Sequence, residues 1–191
     1  TIYSGGDDLL ALVPGAAALE AAAEVASSFS ELMNKQMTAS AGATITKKTA
    51  PLHTNLKIAD QLLDNAKKQE AKSSLDYQLL YGVGYTEDHF GQEERQKLRL
   101  AKWSARPYAW QGLGEVIRLA RQLSGHPSKQ LFTLKNILAS KDTKRLDRAR
   151  FHVRQQVGRG YLPYSEMNTY LQLVESGRLV DAIEISNLME R

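Results

Sequence analysis

The sequence has no cysteine, which excludes a disulfide framework, a thiol nucleophile and any cysteine-ligated zinc site. That composition suits a reducing compartment, and a cytoplasmic location is expected. Aromatic residues make up 7% of the chain and prolines number five, too few for a collagen-like or proline-rich fibrous class. No apolar run approaches the ~20 residues of a membrane span, and no basic-then-apolar leader opens the chain, so no membrane partner is expected. The four histidines, His53, His89, His126 and His152, form neither an HD pair nor an HExxH helix, and no zinc site is assigned to them.

What remains is 191 residues, 42% apolar and 24% charged, enough to bury a core in one domain or two small ones and too hydrophobic for disorder. The net charge of +4 is unevenly spread. Residues 1–90 carry seven basic against eleven acidic side chains, residues 91–160 sixteen against five, and residues 161–191 two against five. Two compositional regimes therefore meet near residue 90, and two domains are expected, 1–90 and 91–191. The chain opens on Thr1-Ile2-Tyr3, apolar and strand-like, with no initiator methionine. It reads as a piece of a longer chain.

Two apolar runs flank Gly5-Gly6-Asp7-Asp8, the pattern of a β-hairpin with a glycine turn. Apolar residues at helical spacing then predict a helix over Ala16–Gln36, and period-two alternation predicts a strand over Met37–Lys47. After Pro51 a second amphipathic helix is predicted over Asn55–Lys72, and a further strand over Ser74–Tyr81. This order predicts a small sheet carrying two helices on one face. Beyond a glycine- and acid-rich loop after Gly82, helices are predicted over Ala109–Leu123, Ser128–Ala139, Thr143–Val157, Tyr164–Glu175 and Leu179–Met189. The fold class is thus α+β, a palm-like half followed by an all-α half.

The hairpin tip is the sharpest chemical feature. Two glycines let the backbone approach phosphates, and Asp7 and Asp8 present hard oxygen ligands suited to Mg2+ or Mn2+. Two divalent ions held in this way, with triphosphate oxygens completing their shells, serve nucleotidyl transfer. An ordinary solvated turn is the competing reading of the same four residues.

The tip followed by LLALVP, a long helix, the strand TASAGATI and the helix LKIADQLLDNAKK resembles the GGDEF and palm-cyclase superfamily over about the first 80 residues. Within it the chain most resembles the second palm domain of the large, polymerase-like subunit of type III CRISPR effector complexes, a ferredoxin-like palm whose tetrad is GGDD. Ser73–Leu80, Ser104–Tyr108 and Leu179–Ile185 resemble, more softly, segments that follow the palm in such subunits. The resemblance implies that Asp7 and Asp8 bind the metal ions and that Ser4, Gly5, Gly6 and Lys67 contact the nucleotide. ATP would be the substrate, and a cyclic oligoadenylate the product when target RNA is bound. It also implies a metal-binding carboxylate on a preceding strand, a first palm domain completing a composite site, and partners among the other effector subunits, the guide RNA and the target RNA.

Two other readings stand beside this one. A diguanylate cyclase making cyclic di-GMP from GTP would carry phenylalanine where Leu9 stands and would end sooner after the palm. A palm that only scaffolds RNA and protein partners would need neither aspartate. In the basic block, Lys141, Lys144, Arg145, Arg148, Arg150, Arg154 and Arg159 interleave with Phe151 and Tyr161, but they do not fall on one narrow stripe. Protein contact is therefore preferred there over RNA contact. Trp103 and Trp110 are read equally as interface residues or as core anchors.

Overall fold

The computed structural model describes residues 3–69, 73–80, 91–101, 103–126, 128–140 and 142–189. Thr1, Ile2, Tyr81, the loop after Gly82, His89 and Lys141 lie outside the described residues. Strands β1 (Tyr3–Gly5) and β2 (Asp8–Leu10) pair antiparallel with Gly5 opposite Asp8. Gly6 and Asp7 are left as the turn. Gly6 sits at φ +61, a left-handed conformation that strains residues bearing a Cβ, and it takes the first central position, where hairpin turns favour glycine.

Helix α1 (Ala18–Leu32) follows a short 3-10 turn over Gly15–Ala17. It stops four residues short of the predicted end, where Asn34 and Lys35 adopt φ +48 and +60 and turn the chain out of the helix. Strand β3 (Ala41–Thr46) leads through Pro51, which occupies the N-cap, into helix α2 (Leu52–Lys67). Strand β4 (Ser74–Leu80) pairs parallel with β3, Gly42 beside Asp76 and Thr46 beside Leu80, and a two-residue β5 (Tyr108–Ala109) pairs antiparallel with β4. Among the described residues the hairpin does not join this sheet, whose order is β3-β4-β5.

Side chains alternate across a strand, and here the two faces meet different neighbours. Gly42, Thr44, Ser74, Asp76 and Leu80 face α2. A Cβ at Gly42 would overlap the Ala59 carbonyl oxygen and the Leu63 nitrogen and lie 3.0 Å from the Leu62 carbonyl carbon. Only glycine lets this helix sit so close. Ile45, Leu75, Tyr77 and Leu79 face the other way and share a core with Leu19 of α1 and with the helical half. The two helices therefore lie on opposite faces, which corrects the expectation of both on one face: the large apolar residues of β4 are covered by the C-terminal helices, with α1 beside them.

Helix α3 (Gln92–Leu100) is not anticipated by the sequence pattern, because QEERQKLRL has no apolar stripe; the residue it buries is Arg95, 2% exposed. Helices α4 (Trp110–Leu123), α5 (Ser128–Ala139), α6 (Arg145–Gly158), α7 (Met167–Ser176) and α8 (Arg178–Met189) agree with the predicted segments to within a few residues. Gly177 at φ +73 closes α7 with a left-handed cap, so that α8 can fold back against α7. The apolar core runs from β4 into α4 through Leu113 and Val116 and into α8 through Val180 and Ile183. Trp103 packs against that core, and the Trp110 indole N–H donates to the Ala39 carbonyl at 3.0 Å. Among the described residues, no helix is long and apolar enough to cross a membrane.

Candidate functional site

Among the described residues the hairpin forms a two-stranded sheet of its own. Ser4, Gly6, Asp7 and Asp8 are exposed, and so are Tyr3 and Leu9 on its arms. Asp7 lies in the turn and Asp8 begins β2, so both carboxylates are presented at one tip. Among the described residues neither forms a hydrogen bond or an ion pair with protein, and their oxygens remain available. No group of three or more histidine, aspartate or glutamate side chains able to hold a metal ion occurs among the described residues. The tip thus offers two carboxylates. That set fits Mg2+, which is commonly held by one or two carboxylates together with substrate phosphates and water.

Lys67 is exposed at the last position of α2. A lysine there complements the negative end of the helix dipole, and its ammonium makes no ion pair among the described residues. Among the described residues no hydrogen bond or ion pair joins it to the hairpin. The turn that carries it is anchored, however. Ser74 Oγ donates to the Ala66 carbonyl at 2.8 Å, and Asn65 Nδ2 donates to Asp76 Oδ2 at 3.1 Å.

Asp76 opens a buried polar network that sequence reasoning does not reveal. Arg95 Nε donates to Asp76 Oδ2 at 3.0 Å, while its other nitrogens reach the Tyr77 carbonyl and Gln78 Oε1, each at 3.1 Å. Arg106 Nη1 donates to the same two acceptors at 3.0 and 3.3 Å, with its guanidinium 4.8 Å from the centre of the Tyr77 ring. Two guanidinium groups thus occupy the edge of β4 just where β5 ends. Arg106 also pairs with Asp181 at 3.1 Å and with Glu184 at 3.6 Å, and Lys135 reaches Glu184 at 2.9 Å. Asp181 Oδ2 accepts from Ser104 Oγ, the Ala105 N–H and the Tyr108 hydroxyl.

Three acids and three bases balance the charge of this interior. Burial favours loss of the Arg106 proton, but Asp181 and Glu184 outweigh it and hold the group above its ordinary value. Arg95 is lowered by burial, with Asp76 opposing. Burial and Asp181 push the Tyr108 hydroxyl well up, so it stays a proton donor. The assembly draws on three stretches that are distant in sequence, Ser73–Leu80, Ser104–Tyr108 and Leu179–Ile185.

The basic block is partly spent on the fold. Arg145 Nη2 donates to the Ala101 carbonyl at 2.8 Å, Arg148 pairs with Asp142 at 3.0 Å, and Arg150 pairs with Asp147 and Glu175. Arg154 and Arg159 remain exposed.

Residues 1–76 match the family model "Cas10/Cmr2, second palm domain". Over those residues the chain is similar to a Cas10/Cmr2 second palm domain. The matched palm is of a nucleotidyltransferase-like fold, and the Cas10/Cmr2 family whose domain it resembles belongs to type III CRISPR effector complexes. No curated protein and no solved structure matches the chain. The matched residues contain the GGDD hairpin, α1, β3, α2 and the start of β4, so the palm accounts for the sheet up to Asp76.

Proposed function

We propose that the palm converts ATP into a cyclic oligoadenylate when the effector complex binds target RNA, with Asp7 and Asp8 as the metal-binding pair. The observation that carries this reading is a pair of exposed carboxylates, unpartnered among the described residues, at a glycine turn within the stretch that matches a Cas10/Cmr2 second palm domain. Asp7 and Asp8 would hold Mg2+ or Mn2+, and Ser4, Gly5 and Gly6 would leave the backbone open to the phosphates. Lys67 would meet the triphosphate with its ammonium, a compact cation suited to phosphate oxygens. When bound, the metal supplies charge for the leaving pyrophosphate and lowers the pKa of the attacking ribose hydroxyl. The site is completed outside these residues, by a first palm domain and a carboxylate on a preceding strand, within a complex holding guide and target RNA.

The test is incubation of the complete effector complex, guide and target RNA included, with labelled ATP or GTP and Mg2+, reading products by chromatography. Cyclic oligoadenylate that disappears with Asp7→Ala and Asp8→Ala supports the reading. Cyclic di-GMP from GTP, or no product from either nucleotide, overturns it, the latter in favour of a scaffold.

A further inference from the structure

We infer that the buried Asp76–Arg95–Arg106–Asp181 network positions the last turn of α2, and through it Lys67. The inference rests on the reading of Lys67 as a triphosphate contact and adds residues that reading does not contain. The last four carbonyls of a helix have no partner inside it and its final turn frays unless something caps it. In this helix Ser74 holds the Ala66 carbonyl and Asp76 holds the Asn65 amide, the two residues immediately before Lys67. Asp76 Oδ2 is in turn held by Arg95, which shares the Tyr77 carbonyl and Gln78 Oε1 with Arg106. Arg106 ties this edge of the sheet to Asp181 and Glu184 of α8, and Lys135 of α5 completes the chain.

The chemistry suits positioning better than stabilisation. A buried ion pair gives little net stability over apolar residues of the same volume. A guanidinium, however, is a flat fork of five donors, which fixes its acceptors in direction as well as distance. Two such forks on one strand edge give the end of α2 a single location relative to α8. Arg95 and Arg106 are positioning residues: neither touches the nucleotide, and each acts through Asp76 and the helix end.

The experiment uses the complete effector complex and compares Arg95→Met, Ser74→Ala, Lys67→Ala and the double variants that include Lys67→Ala. Ser74→Ala strands no buried charge, so it keeps the test open if Arg95→Met folds poorly. Two readouts are taken, amide hydrogen exchange over residues 62–68 and the KM for ATP with kcat measured alongside. Arg95→Met and Ser74→Ala are expected to accelerate exchange in that turn while leaving α1 unchanged. Each is expected to raise the KM by about tenfold, the scale of one charge-assisted contact, with no further rise in the Lys67→Ala background. Unchanged exchange over 62–68 overturns the inference, as does a KM effect that adds in full to that of Lys67→Ala. If exchange responds but Lys67→Ala leaves the KM unchanged, the nucleotide role of Lys67 falls and with it the second half of the inference, while the anchoring of the helix end stands.

Discussion

Replacing Arg106 by methionine is expected to destabilise the 191-residue chain by about 3–5 kcal/mol, the range for removing one partner of a buried ion pair. The side chain is 2% exposed, and methionine occupies similar volume, so the loss is electrostatic and not a cavity effect. Five groups lose a partner: Ser104 Oγ at 2.8 Å, the Tyr77 carbonyl at 3.0 Å, Asp181 at 3.1 Å, Gln78 Oε1 at 3.3 Å and Glu184, which keeps Lys135, at 3.6 Å. Arg95 still serves Tyr77 and Gln78, so most of the cost falls on Asp181, fully buried and left with three neutral donors. Adding Asp181→Asn removes the stranded charge yet keeps an oxygen to accept those donors, and the double variant should recover at least about 1 kcal/mol. Urea unfolding followed by circular dichroism gives the cycle. For a chain of this size the single variant corresponds to a fall in Tm of about 6–20 °C. A loss below about 1 kcal/mol, or a double variant no milder than the single one, would refute the claim that a charged guanidinium holds this interior together.

Gly42→Ala should destabilise by about 3 kcal/mol or more, because the atoms its Cβ would meet are backbone and cannot rotate away. Gly114→Ala on α4 has nothing within 4 Å of its Cβ and should stabilise by about 0.5–1 kcal/mol, so thermal melts of the pair give opposite signs. Asp7→Ala with Asp8→Ala should change stability by less than about 0.5 kcal/mol, since both are exposed, while abolishing nucleotide conversion by the effector complex. His152 is held below its ordinary value of 6.5 by burial and by Arg159, against a hydrogen bond to the Gln130 backbone. The unfolded chain therefore takes up the proton more readily, and stability present above pH 6.5 declines as pH falls through the folded value. Denaturation between pH 7.5 and 5 should show a shallower decline for His152→Gln, and an identical slope would remove His152 as a cause.

The separation of local from distant information runs through particular residues. The hairpin, α1, β3, α2 and α4 to α8 are legible in sequence because each carries its own signal: a glycine turn, a period of two, or a period of 3.6. Helix α3 carries none, since its purpose is to deliver one arginine to a carboxylate nineteen residues earlier in the chain. Strand β5 is two residues long, and pairing with Ser74 and Leu75 alone makes Tyr108–Ala109 a strand.

The candidate site divides in the same way. Its candidate chemistry was visible in two ways: Gly5-Gly6-Asp7-Asp8 because two glycines and two acids mark a turn, and Lys67 only through the family resemblance. Its support was not visible: Asp76, Arg95, Arg106 and Asp181 read singly as ordinary surface charges. Sequence alone determined most of the segments that become strands and helices, α3 and β5 excepted, because backbone propensity and apolar period are local properties. Only the tertiary structure decided which faces of β4 would be covered and which four charges would be buried together. The cost of removing a charge from water is met only when distant partners arrive in the same place.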